Sequence, residues 1–122
     1  MDAAELRLIE LIGLPDGAVK RDFITIEMDE KPFKVRTFVA GDDSDGRQTL
    51  LLVHGYMASG LAHFNIIKPL TEKYRVVFFD NFGWGMNTKL QECPRGMESA
   101  EAADAWMTEW ILKTFDALDL PD

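Results

Sequence analysis

Two stretches of the chain are almost wholly apolar, Leu50-Leu51-Leu52-Val53 and Val76-Val77-Phe78-Phe79, and each ends in a polar, glycine-bearing loop. Runs this uniform predict strands buried on both faces. Thr49–Val53 reads as a central parallel strand, and 75–80 as a second inner strand. Between them Phe64, Ile67, Leu70 and Tyr74 recur at helical spacing over 61–74, and Pro69 is expected to start a second helical piece rather than sit within one helix. Strand, helix and strand make a βαβ unit, with parallel strands and a right-handed crossover.

The flanking segments are more amphipathic. Leu6, Ile9 and Leu11 alternate with charged residues over 3–12, which suits a short surface helix ended by Gly13 and Pro15. Over 22–29, Ile24, Ile26 and Met28 share one side; over 33–40, Phe33, Val35, Thr37 and Val39 share a face. With a turn at 29–32 they predict an antiparallel hairpin at a sheet edge. A loop follows at 41–46; it lacks the closing glutamate of a calcium loop. A last helix is expected over 101–118, capped by Ser99 and stopped by Pro121, with a buried stripe of Ala103, Met107, Trp110, Ile111, Phe115 and Leu118.

Composition narrows the class. The 122 residues are 47% hydrophobic and 28% charged, which suits one soluble globular unit, and the formal charge is −8. That charge argues against nucleic acid as a partner and against docking on anionic membranes by bulk charge. No stretch is long and apolar enough to span a bilayer, so no transmembrane segment is expected. Cys93 is the single cysteine, and the acidic start Met1-Asp2-Ala3-Ala4-Glu5 does not resemble a signal peptide. An intracellular, cytoplasmic setting is the expectation. His54, His63 and Cys93 lack ligand spacing, so neither a metal nor another cofactor is expected.

Candidate chemistry gathers in the two loops that leave the apolar strands, 54–60 and 80–88. Gly55 and Gly60 in the first, and Gly83 and Gly85 in the second, allow sharp turns that expose backbone N–H groups, which could stabilise an anion. Neither Gly-x-Gly-x-x-Gly nor a Walker-type glycine loop follows either strand, so a phosphate cradle is excluded.

These loops carry a resemblance. Val53-His54-Gly55-Tyr56, a helix, then Val76-Val77-Phe78-Phe79-Asp80-Asn81-Phe82-Gly83-Trp84-Gly85 resembles the front half of an α/β-hydrolase-fold protein. Within that superfamily it is most similar to the abhydrolase-domain lipid hydrolases and their lysophospholipid acyltransferase-like relatives. The resemblance implies a three-layer α/β sandwich: an antiparallel edge hairpin, a parallel βαβ unit and a C-terminal helix. Residues 22–122 would form a partial α/β-hydrolase domain, with 1–21 as an N-terminal helical extension. It also implies that the Tyr56 backbone N–H is half of an oxyanion hole. His54 would brace the loops rather than act as a base, Asp80 would orient its loop, and Gly55, Gly83 and Gly85 would support them.

The departure from the family pattern is equally specific. No Gly-x-Ser-x-Gly occurs among the 122 residues, so the nucleophile elbow and the acid and histidine that follow it are not found here. The chain alone is therefore expected to be inactive. Family strand order would leave the outer edge of Thr49–Val53 unpaired, ready for the remainder of a hydrolase domain or for other protein chains. The function expected is the N-terminal part of a serine hydrolase or acyltransferase acting on a lipid or other carboxylic ester. The alternative is a non-catalytic scaffold or interaction subunit built on a truncated hydrolase fold.

Overall fold

The computed structural model describes residues 2–41, 46–89 and 98–120. Helix α1 (Asp2–Ile12) leads into strands β1 (Val19–Met28) and β2 (Lys31–Ala40). Strand β3 (Thr49–Val53), a 3-10 turn (Gly60–His63), helix α2 (Phe64–Thr71) and strand β4 (Arg75–Phe79) follow, and helix α3 (Ala100–Leu118) comes last. The four strands form one sheet in the order β1-β2-β4-β3, with β1·β2 and β2·β4 antiparallel and β3·β4 parallel.

The sheet is covered on both faces, which makes three layers. Phe38, Ala40, Val76 and Phe78 meet Ile12, Leu61 and Ile67 on the side of α1 and α2. Ile26, Met28, Phe33, Val35 and Phe79 meet Trp106 and Trp110 of α3 on the other. Cross-strand partners Phe38 and Phe78 stack with centroids 5.0 Å apart, which fixes the β2·β4 register by area as well as by hydrogen bonds. This is an α/β architecture of the predicted kind, hairpin and parallel unit included.

Four details differ from the sequence-based expectation. First, β3 is not central as its apolar run suggested, but lies at the edge that the family strand order implied. The inner strand is β4, with Val76 to Phe79 fully buried between β2 and β3. Among the described residues β3 pairs on one side only; its first four residues are half-buried and Val53 is 43% exposed. An apolar run reports that both faces can be covered and is silent about the edges, where backbone groups pair.

Second, Pro69 lies inside α2, not at the start of a second helical piece. The irregularity falls earlier, at the 3-10 turn. Pro69 and Asn65 both lie on the exposed face, so water can take the one carbonyl that the missing N–H leaves free.

Third, the buried residues of α3 are Trp106, Trp110 and Thr114; Met107, Ile111, Phe115 and Leu118 flank them half-buried. Thr114 passes as apolar because its hydroxyl donates to the Trp110 carbonyl at 2.8 Å. Trp106 keeps its Nε1–H satisfied by Asp29 at 3.1 Å. The cap is as expected, with Ser99 Oγ accepting the Ala102 N–H at 3.1 Å, while the stop is Asp119 in the left-handed region at φ 46°. Pro121 lies outside the described residues, as do Cys93 and most of the 41–46 loop.

Fourth, the hairpin is longer and its turn tighter. Met28 pairs with Lys31, so only Asp29 and Glu30 form the loop, and both have positive φ (50° and 60°). That is a type I′ turn, whose twist suits paired strands.

Candidate functional site

Strands β3 and β4 run parallel, so their carboxyl ends open on the same side, where open α/β sheets place ligands. The loops 54–60 and 80–88 both start there. Their positions are set by a few buried polar groups.

Asp80 is the first. It is 1% exposed, at the point where β4 leaves the sheet. Its Oδ1 accepts the Gly60 N–H at 2.8 Å and its Oδ2 accepts the Met86 N–H at 2.8 Å. One carboxylate thus holds the start of the 3-10 turn in the first loop and the far side of the second. Bonds from N–H groups to a carboxylate are charge-assisted, which offsets the burial of the group. Two glycines make the fit possible. A Cβ on Gly85, which has φ +59°, would lie 1.7 Å from Asp80 Oδ2, and a Cβ on Gly60 would lie 3.0 Å from the Phe79 backbone.

His54 is the second, at 3% exposure. Its Nε2 accepts the Asn81 N–H at 2.7 Å, so the proton resides on Nδ1, which donates to the Gly55 carbonyl at 2.8 Å. Both ring nitrogens are thus engaged by backbone groups, one in each loop. Asn81 returns a second bond, Nδ2 to the His54 carbonyl at 2.6 Å.

Asn87 and Arg36 complete the frame. Asn87 Nδ2 donates to the carbonyls of Asp80 and Asn81, and its Oδ1 accepts the Arg36 N–H. The Arg36 carbonyl accepts the Asp80 N–H at 2.9 Å, so one residue of β2 fixes both ends of the second loop. Thr88 then pairs with Lys34 through its backbone N–H and its hydroxyl. The Arg36 guanidinium reaches Glu5 of α1 with two bonds and lies 4.6 Å over the Phe23 ring. A cavity of about 140 Å³ beneath the loops is walled by Leu8, Phe38, Leu61, Asp80 and Met86, so α1 closes the back of the site.

Tyr56 stands at the tip, 86% exposed, with its ring edge-on to Trp84 at 5.3 Å. Met57 beside it is 72% exposed and takes the positive φ of the turn, 57°. Among the described residues nothing takes up the Tyr56 N–H. Of the predicted glycines, Gly83 has φ +80°, while a Cβ on Gly55 would meet open space. Sequence reasoning placed His54, Asp80 and the two loops together. It passed over Asn81, Asn87 and Arg36: Asn81 stands at the exit of β4, Asn87 in the loop beyond it and Arg36 within β2, and nothing in the residue pattern brings the three together.

No family model matches the chain. Its fold corresponds to part of the α/β-hydrolase fold. It superposes on a membrane phospholipase A, a bacterial virulence factor, with a TM-score of 0.70 at 20% identity, covering 97% of this chain and 32% of that one. A protein from Acinetobacter baumannii assigned as a lipase gives a TM-score of 0.70 at 16% identity, covering 98% of this chain and 34% of that one. In sequence the chain is similar to a 1-acylglycerol-3-phosphate O-acyltransferase of Arabidopsis thaliana, 28% identical over 126 aligned positions. That alignment takes in 93% of this chain and 28% of the plant protein, so the chain spans somewhat over a quarter of its relative's length. No helix among the described residues is long and apolar enough to cross a membrane.

Proposed function

We propose that this chain forms the front half of the active-site cleft of a serine hydrolase or acyltransferase acting on a lipid ester, with the Tyr56 N–H as one oxyanion donor. The observation that carries this reading is a Tyr56 N–H with no acceptor among the described residues, on a turn clamped at both ends, by His54 and by the Asp80–Gly60 bond, at the carboxyl ends of parallel strands. A donor that is fixed before reaction costs no reorganisation when negative charge develops on a carbonyl oxygen. The serine, the acid and the histidine base come from residues outside these 122, since no Gly-x-Ser-x-Gly occurs within them. The serine Oγ adds to the ester carbonyl, the alkoxide leaves with a proton, and the acyl-serine passes its acyl group to water or to another hydroxyl. Similarity to an acyltransferase for 1-acylglycerol-3-phosphate makes a lysophospholipid hydroxyl the acceptor to try first.

The test uses the full-length protein. A fluorophosphonate probe should label one serine, and a carboxylic ester should be cleaved, with acyl transfer when 1-acylglycerol-3-phosphate is supplied. Absence of labelling and of turnover would refute the reading. The half-covered β3 edge favours one other role, a non-catalytic subunit whose partner adds a strand there.

A further inference from the structure

Asn87 lies near the end of the 80–88 loop. It is 3% exposed, and its whole side chain is spent on backbone. Nδ2 donates to the Asp80 carbonyl at 2.6 Å and to the Asn81 carbonyl at 2.9 Å; Oδ1 accepts the Arg36 N–H at 2.7 Å. A primary amide has two N–H donors and a carbonyl acceptor, and all are used here.

The two carbonyls held by Asn87 belong to the two residues that anchor the other loop. Asp80 holds that loop at Gly60 through its carboxylate, and Asn81 holds it at His54 through its N–H and its side chain. Tyr56 lies between these anchor points. One amide group therefore refers both anchors to Arg36, a buried residue of β2. Without it, the buried Asp80 carbonyl and the half-buried Asn81 carbonyl at the exit of β4 lose a donor, and the pair of residues carrying the first loop can shift relative to the sheet.

We propose that Asn87 is a positioning residue for the Tyr56 N–H, acting through Asp80 and Asn81 to set where the 54–60 loop sits over the strand ends. Its consequence for catalysis rests on the oxyanion reading given above; its consequence for loop order does not.

The full-length protein is compared with its Asn87→Asp variant, which keeps the shape and the acceptor but loses both donors. Asn87→Ser is made alongside, so that a folded variant is at hand if the buried charge prevents folding. Hydrogen exchange is followed in peptides covering 54–60 and, as reference, 19–28. Exchange over 54–60 should accelerate about tenfold or more while 19–28 holds its rate. In ester turnover kcat should fall about tenfold with KM within about twofold, because the donor is displaced rather than the substrate site removed. Unchanged exchange over 54–60 in a folded variant would overturn the proposal. So would equal acceleration over 19–28, which marks general loosening. Should the wild-type protein neither turn over an ester nor take a fluorophosphonate label, the oxyanion reading fails by itself, and the exchange pattern still decides the role of Asn87.

Discussion

The Asp80 carboxylate and the Gly60 N–H meet at 2.8 Å across a separation of twenty residues. This bond joins the loop after β4 to the loop after β3, and the second carboxylate oxygen holds Met86 in the same way. Both oxygens face N–H donors in a site with almost no water access. Asp80→Asn keeps one acceptor but turns an NH₂ toward an N–H. It is expected to destabilise the protein by about 2–3 kcal/mol, the range for hydrogen bonds to a charged group with a buried donor left over. Urea unfolding of the two proteins measures this, and a loss under about 0.5 kcal/mol would mean that the loops hold together without Asp80.

Glycines in these loops should differ sharply in tolerance. Gly85→Ala places a methyl carbon 1.7 Å from Asp80 Oδ2 at a backbone φ of +59°. Overpacking and left-handed strain together should cost at least about 2 kcal/mol. Gly55→Ala meets open space and is expected to stay within about 0.5 kcal/mol of the wild type. Thermal melts of the two variants side by side check the contrast, and equal losses would contradict the geometry.

The hairpin offers a stabilising change. Glu30 is held at φ 60° in the type I′ turn between β1 and β2, a conformation that an L side chain disfavours and glycine adopts freely. Glu30→Gly gives the turn its preferred Asp-Gly pair. Relief of about 1–2 kcal/mol of left-handed strain exceeds the extra freedom of the unfolded chain, so a net gain of about 0.5–1 kcal/mol is expected. A lower midpoint in urea for the variant would refute it.

Much of this arrangement is legible from residue patterns, because it follows from local rules. The hairpin shows in the alternation of Ile24, Ile26 and Met28, and the helix start in Ser99. The two loops show in the passage from Leu52-Val53 and Phe78-Phe79 to polar residues and glycine. What is not legible is pairing in space. β3 and β4 look alike as apolar runs, yet one lies at an edge and the other inside the sheet; the strand order implied by the resemblance carried that difference, and the runs themselves did not. Asn87 reads as an ordinary loop residue; its worth depends on where Arg36 stands, 51 residues earlier in the chain. Glu5 likewise reads as a surface charge on a short helix, and is buried where β1 and β2 bring Arg21 and Arg36 against it.

The sharpest chemical prediction separates the Tyr56 backbone from its side chain. Tyr56 is 86% exposed and its ring packs edge-on against Trp84 at 5.3 Å, an interaction of about 1 kcal/mol. Tyr56→Ala in the full-length protein should therefore keep stability within about 1 kcal/mol and kcat for a carboxylic ester within about tenfold. Tyr56→Pro keeps a side chain of similar size to the alanine variant but deletes the N–H. Tyr56 is not among the residues with positive φ, so proline is compatible with that side of the backbone map, and Gly55 before it is the residue least restricted by a following proline. Loss of one oxyanion donor lowers kcat by about a hundredfold to a thousandfold. The expected result is a fall of that size for proline and not for alanine, at matched thermal stability. Equal rates for the two variants would show that the Tyr56 N–H never meets the oxyanion, and would move the search for that donor to the 80–88 loop.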